Sequence, residues 1–326
     1  MQVEQDDFSG GLSGPESEAS CAAGASEPAA SVPQAALALK QEELSWLLCL
    51  ERRKGILLGE KLGEGTFGSV YEAVLEGDHW PAWLLDLELV VKTLRDNPFG
   101  GGRGLHQGNR FEEFILGSVR HPSLVACLGF TKSPPVWALF EKCNRGSLGD
   151  TLRGSHKLAE KARLLEEIRS NSVQLVVQLA EGISCLHGQG LLHRDLHEKN
   201  VLLHCQEDNV LTVRIADFGH CARISDNHSH RTVRRQEQEQ YKRGKPHVAP
   251  ELVAGGKYST ASDMWAVGFI AEKLLGIERW TGKPIFGVSR PPLSSRSLLI
   301  LGMCSRPSIR DRPTAVEFLA TFQSEL

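Results

Sequence analysis

From Leu57 onward the chain sets short β-branched and apolar runs between glycines, first in GEKLGEGTFGSVYEAVL and then in LELVVKTL. Runs of this length and composition predict strands, with a turn between the first two. Farther along the period changes. Between about Asn171 and His187, the residues Leu175, Leu179, Ile183 and Leu186 recur at i, i+4, i+8 and i+11, which is one stripe of a buried helix. Helical patterning continues from Ser262 to Leu275 and from Thr314 to Phe322. A strand-rich first third followed by a helical remainder predicts two unequal lobes whose junction is a natural ligand cleft.

Ahead of this pattern, residues 1 to about 36 are rich in Gly, Ser, Ala, Glu and Pro. Ordering them would cost more conformational entropy than their burial returns, so an acidic, disordered tail is expected. Leu37, Leu44, Leu47 and Leu48 then fall at near-helical spacing among Gln and Glu. This predicts a short helical lead-in over 37–56, packed on the edge of the domain that follows.

Composition narrows the function. With 41% hydrophobic residues the chain of 326 residues can bury a sizeable core. The net charge of -3, without a basic half, does not call for nucleic acid or an anionic membrane as the main partner. Eight cysteines are spread singly from Cys21 to Cys304, a distribution expected of free thiols in a reducing compartment. The first residues lack the basic start and apolar run of a signal peptide, and no stretch approaches the roughly 20 apolar residues of a membrane span. The expected location is the cytoplasm, with the nucleus as a second site.

Chemistry enters at LGEGTFGSV, with Leu62, Gly63, Gly65, Gly68 and Val70. Glycines here let backbone lie against phosphate oxygens and offer N–H donors. A plain glycine-rich hairpin would read the same way. A dinucleotide site would need a helix after the third glycine, whereas SVYEAVL reads as a strand, so the context favours a hairpin lid over phosphates. Lys92 in VVKTL follows, then HRDLHEKN at His193 to Asn200, DFG at Asp217 to Gly219, and APE at Ala249 to Glu251. On these motifs, in this order, the chain resembles the eukaryotic protein kinase family over nearly all of residues 57–324. The resemblance implies an α+β, bilobal protein kinase fold, with a small β-rich N-lobe at about 57–140 and a larger helical C-lobe at about 144–324.

It also implies ATP and Mg²⁺ as cofactors and a protein as substrate. Lys92 would hold the α- and β-phosphates, positioned by Glu112, which is selected by counting back from His121 and Pro122; Glu113 is the neighbouring alternative. Asp217 would bind Mg²⁺ bridging the phosphates, and Asn200 would hold a second ion. Asp195 would face the acceptor hydroxyl and take its proton. Phe140 would limit the back of the adenine pocket, backbone groups of Glu141 and Cys143 would bind adenine, and Val70, Val90 and Leu202 would sandwich it. Leu116, Cys127, His193 and Phe218 would stack in one column, and Arg312 would pair with Glu251.

Several positions depart from the family pattern. Val90 replaces a usual Ala two residues before the lysine. His197 stands where Ser/Thr kinases carry Lys, with Lys199 beyond it. Gly244 replaces the Thr of Ser/Thr kinases, and His247 the Trp of Tyr kinases. This mixture looks most like the tyrosine-kinase-like group, which favours Ser/Thr over Tyr as acceptor. The polar segment before APE offers Ser225, Ser229, Thr232 and Tyr241 as phosphorylation sites. Thr232 is favoured, for an upstream activating kinase, with Arg194 pairing with the phosphate. The HSHR piece within it reads as solvated loop rather than a metal site. The alternative function is a pseudokinase scaffold, although Lys92, Glu112, Asp195, Asn200 and Asp217 are all present. A small-molecule kinase fits poorly, because such enzymes lack APE and the long segment before it.

Overall fold

The β-branched runs form strands, as predicted. In the computed structural model, which describes residues 55–65, 68–77, 80–94, 119–131, 136–153, 158–205, 210–225, 245–277 and 292–326, five strands form an antiparallel sheet. They are β1 (Ile56–Gly65), β2 (Gly68–Leu75), β3 (Leu89–Leu94), β4 (Cys127–Phe130) and β5 (Trp137–Glu141), in the order β1-β2-β3-β5-β4. The tail and most of the predicted lead-in lie outside the described residues; β1 begins at Ile56, inside the range expected for the lead-in.

The β1–β2 hairpin runs in register from Ile56 opposite Leu75 to Gly65 opposite Gly68, with irregularities on either side of Lys61. Beyond Ile56 every residue of β1 is exposed, as befits the edge strand of the sheet, while β2 pairs with β3 from Gly68 opposite Leu94 down to Ala73 opposite Leu89 at the base of the hairpin. That base has its own core of Ile56, Leu89, Val91, Leu128 and Leu139, completed by Trp80 and Leu84. The last two come from a segment for which no element was predicted: Ala82–Leu85 makes a single helical turn, α1, between β2 and β3. Trp80 Nε1 donates to the carbonyl of Glu76 at 3.1 Å, so its ring is buried with its polar atom satisfied.

Helices dominate the rest: α2 (Leu148–Arg153), α3 (Leu158–Ser170), α4 (Ser172–Gly188), α5 (Pro250–Val253), α6 (Thr260–Leu274), α7 (Ser295–Cys304) and α8 (Ala315–Gln323). The predicted stripe of Leu175, Leu179, Ile183 and Leu186 on α4 is 0% exposed. Each such side chain contributes about 1.5–3 kcal/mol on burial. α6 is capped by a reciprocal Ser259–Ser262 box and is buried along most of its length, as expected of a central helix. Two small pairings complete the framework: β6 (Leu191–Leu192) with β9 (Ala222–Arg223), and β7 (Val201–Cys205) with β8 (Leu211–Ile215). Separate strand-rich and helical parts make the class α+β.

The two parts are joined by backbone. Val125 donates to the carbonyl of Ile215 at 2.9 Å, and Ile215 donates to that of Ser123 at 2.8 Å. Gly182 makes this contact possible, since a Cβ there would lie 2.8 Å from Ile215 Cδ1 and 3.2 Å from the Ser123 carbonyl. Among the described residues no helix is long and apolar enough to cross a membrane.

Candidate active site

The loop His193–His197 leaves β6 without regular structure and is held by one carboxylate from the first turn of α6. Asp263 accepts the backbone N–H of His193 and of Arg194, each at 2.9 Å, and its Oδ2 lies 3.0 Å from His187 Nε2. Burial pushes the Asp263 carboxyl up, but the hydrogen bond and charge of His187 and the backbone donors outweigh it and hold it below the ordinary value. Arg194 sits at φ 68°, a left-handed conformation that a residue with a Cβ seldom adopts. Its guanidinium lies over the Tyr258 ring, 4.8 Å from the centroid. His193 is buried, with Nε2 3.2 Å from the carbonyl of Ala216 and its ring 5.7 Å from Phe218. Cys127 is buried in the same core, whereas Leu116, the fourth member of the expected column, lies outside the described residues.

Asp195 follows this turn with its side chain about one-third exposed. Its Oδ2 is 3.7 Å from His197 Nε2 and 3.9 Å from His220 Nε2. These separations exceed a hydrogen bond, so the contacts are electrostatic. Burial pushes the Asp195 carboxyl up; the neighbouring histidines His197, His220 and His193 more than offset this and hold it below the ordinary carboxylate value. Asn200 Nδ2 donates to the Asp195 carbonyl at 2.8 Å, which closes the loop on itself and leaves the amide oxygen as the atom available to a cation.

Asp217 arrives from the end of β8 in a second left-handed conformation, φ 63°. Its Oδ1 accepts from Lys92 Nζ at 2.8 Å, and the lysine side chain is only 13% exposed. Burial raises the Asp217 carboxyl, but the Lys92 charge and hydrogen bond win and keep it below its ordinary value. Ala216 donates to the Asn200 carbonyl at 2.8 Å, so Asn200 and Asp217 are set side by side. A carboxylate and an amide oxygen are the hard donors that Mg²⁺ takes, and this donor set fits it.

Above these groups, register places Val70 opposite Lys92 and Val90 opposite Phe140. Val70 and Leu202 are half-buried, Phe140 is buried, and Leu62 is exposed. A Cβ on Gly63 or Gly65 would meet nothing within 4 Å, so nothing in the protein crowds this backbone. The Glu141 side chain is engaged by Arg214 Nη1 at 2.9 Å and approached by His204 Nε2 at 3.5 Å. Burial pushes the Cys143 thiol up to about 12, so it is a protonated, unreactive wall. Arg312, expected to pair with Glu251, does so through two bonds of 2.8 and 2.7 Å.

Lys92, Asp195, Asn200 and Asp217 are thus brought together from β3, the loop after β6 and the loop after β8. Glu112 and Glu113 lie outside the described residues, as do Ser229, Thr232, Tyr241, Gly244 and the HSHR piece; Ser225 is within them. Sequence reasoning missed the clamp made by Asp263 and His187 and the approach of His220 to Asp195. It also missed a stack of His197, His247 and Phe269 rings. The one signal for Asp263 was its place in the first turn of a predicted helix.

Comparison with known proteins gives the family. Residues 56–276 match the family model described as protein tyrosine and serine/threonine kinase. The chain is 32% identical to the tyrosine-protein kinase Abl of Drosophila melanogaster, over 71% of this chain and 12% of that protein. It is 28% identical to the human non-receptor tyrosine-protein kinase TNK1, over 82% of this chain and 40% of the relative. It is also 29% identical to the serine/threonine-protein kinase shk2 of Schizosaccharomyces pombe, over 66% of this chain and 32% of the relative. The chain therefore matches well under half the length of these relatives.

Proposed function

The chain belongs to the protein tyrosine and serine/threonine kinase family, and from that premise we propose that it transfers a phosphoryl group to a hydroxyl of another protein, with Ser and Thr favoured over Tyr. The observation that carries this reading is the convergence of Lys92, paired with Asp217 at 2.8 Å, on the loop that bears Asp195 and Asn200.

When bound, Mg²⁺-ATP supplies the γ-phosphoryl group. The chain supplies alignment and charge, which is most of what a loose phosphoryl-transfer transition state needs. Lys92 neutralises and positions the α- and β-phosphates, Asp217 and Asn200 hold the metal, and backbone of the Gly63–Gly68 hairpin covers the phosphates. Val70, Val90 and Leu202 enclose adenine, Phe140 limits the back of its pocket, and backbone groups of Glu141 and Cys143 hydrogen-bond it. Asp195, ionised and below its ordinary value, orients the acceptor hydroxyl and receives its proton as the bond to phosphorus forms. Glu112 is the proposed partner of Lys92. The domain spans residues 57–324 and works on proteins in the cytoplasm. The relatives include kinases named for tyrosine and for serine/threonine; the preference for Ser/Thr is drawn from the mixed pattern at His197, Gly244 and His247, which looks most like the tyrosine-kinase-like group.

The test is incorporation of labelled γ-phosphate into a mixed Ser, Thr and Tyr peptide library, with phosphoamino-acid analysis, beside Asp195→Asn. Asn keeps the shape and loses the basicity, so a fall of about 10²–10⁴-fold is expected. Label no higher in the wild type than in Asp195→Asn overturns the activity. Label confined to phosphotyrosine overturns the preference alone.

A further inference from the structure

One face of α7 is left bare by the rest of the chain. Ser297, Leu301 and Cys304 turn into the core. At about 3.6 residues per turn the opposite face carries the row Ser295, Leu299, Gly302 and Arg306, the last just past the helix end, with Arg296 on its shoulder. All five are exposed. Leu299, in the middle of the row, is a large apolar side chain left 59% exposed.

Gly302 has no role inside the chain. Glycine weakens a helix relative to alanine, because it has more backbone freedom to lose. Packing accounts for Gly182 in α4 and Gly268 in α6, where a Cβ would collide with Ile215 and with Cys304. A Cβ on Gly302 would meet nothing within 4 Å. The fold therefore gains nothing from this glycine, whereas a segment from outside could lay its backbone close against the helix there.

The arginines at the two ends of the row are also without an internal role. Among the described residues neither Arg296 nor Arg306 pairs with a carboxylate. Glu325, which reaches the start of the helix, is engaged by the Ser294 N–H at 3.2 Å and by the hydroxyls of Ser294 and Ser297. An exposed guanidinium fork takes a carboxylate through two parallel bonds. Along the helix axis the two arginines are about 15 Å apart, the span of roughly four to five residues in an extended chain.

We propose that this face of α7 is a docking site for an extended acidic segment of a partner protein, its backbone crossing Gly302, an apolar side chain on Leu299, and carboxylates at Arg296 and Arg306. Charge complementarity selects this occupant: a row with two cations and no carboxylate draws an acidic partner and repels a basic one. The gap at Gly302 admits a peptide backbone, which a lipid surface would not need. The inference goes beyond the kinase reading and does not rest on it, since it concerns binding and not transfer.

The experiment selects displayed random ten-residue peptides on the full chain and measures the affinity of those enriched. Segments with two acidic residues four or five positions apart, around an apolar one, are expected. Arg296→Glu combined with Arg306→Glu should weaken them about tenfold or more, and added salt should weaken them as well. Gly302→Ala separates docking from folding: it should raise Tm through helix propensity and still weaken binding about tenfold. No acidic consensus, or an affinity unchanged in either variant, overturns the inference. Binding to phosphatidylserine vesicles that the double variant abolishes, with no peptide enriched, assigns the face to a membrane and overturns it too. So does self-association of the chain, read by light scattering, that is lost in Leu299→Glu.

Discussion

Asp263 Oδ1 accepts the backbone N–H of Arg194 at 2.9 Å, and Arg194 stands at φ 68°. A left-handed backbone at a residue with a Cβ is costly and persists only where its surroundings over-determine it. Here one buried carboxylate from α6 does so, and the conformation it holds turns the chain just before Asp195.

Removing that carboxylate should therefore cost stability and geometry together. Asp263→Ala leaves the N–H groups of His193 and Arg194 buried without an acceptor, and we expect a loss of about 3–5 kcal/mol, read by urea denaturation. Asp263→Asn keeps one oxygen and should fall between the alanine variant and the wild type. An alanine variant as stable as the wild type would mean that the loop is held by other contacts.

Arg312 and Glu251 form a forked pair in which the arginine side chain is 0% exposed. The same guanidinium donates to the carbonyls of Arg306, Ala261 and Pro307. Lysine cannot reproduce a planar fork with several fixed donors. Arg312→Lys should thus lose about 3 kcal/mol or more, and a double-mutant cycle with Glu251→Gln should show coupling well above the level of a surface pair. Coupling near zero would show that Glu251 is not the partner that matters.

Gly268 is where α6 meets α7. A Cβ there would lie 2.4 Å from Cys304 Cβ, and neither atom belongs to a flexible chain end. Alanine normally stabilises a helix interior by up to about 1 kcal/mol over glycine. Gly268→Ala should instead destabilise by about 1–3 kcal/mol through overpacking, and adding Cys304→Gly, which opens the space, should recover part of the loss in thermal denaturation. Failure of the second change to recover anything would place the strain elsewhere.

Acid should act through His247. Its ordinary value is 6.5, and burial lowers it to about 4 in the folded chain, so between those limits the unfolded chain binds a proton that the folded chain does not. Stability then rises with pH across that window and is lost as pH falls through it. The full penalty, reached below about pH 4, is about 3 kcal/mol. His247→Phe cannot titrate and should show a shallower fall in Tm from pH 7 to pH 4.5. Parallel profiles for the two proteins would assign the acid sensitivity to other groups.

Legibility in the sequence followed the range of the forces involved. The stripe on α4 was readable because residues on one helical face are a few positions apart and burial acts on each alike. The strands of the hairpin were readable from β-branched runs and glycine. The turn of helix at Ala82–Leu85 was not, since one turn is too short to show a period. It forms because Leu84 and Trp80 fill the base of the sheet, which is a tertiary reason.

The same division holds for the candidate site. From sequence alone came the fold class, the glycine hairpin, and the set Lys92, Asp195, Asn200 and Asp217, because these are ordered motifs with residue types suited to phosphate and metal. Only the tertiary structure brought Lys92 to Asp217 across 125 positions of chain, and Asp263 to the N–H of His193 across 70. It also turned two histidines, each unremarkable in its own loop, into a ring pair beside Asp195. Such contacts leave no local trace: a carboxylate in a helix's first turn and a histidine before a proline-capped helix look alike whether they face water or a partner. Which they face is settled by how α6 packs beneath both loops, and that depends on the whole core.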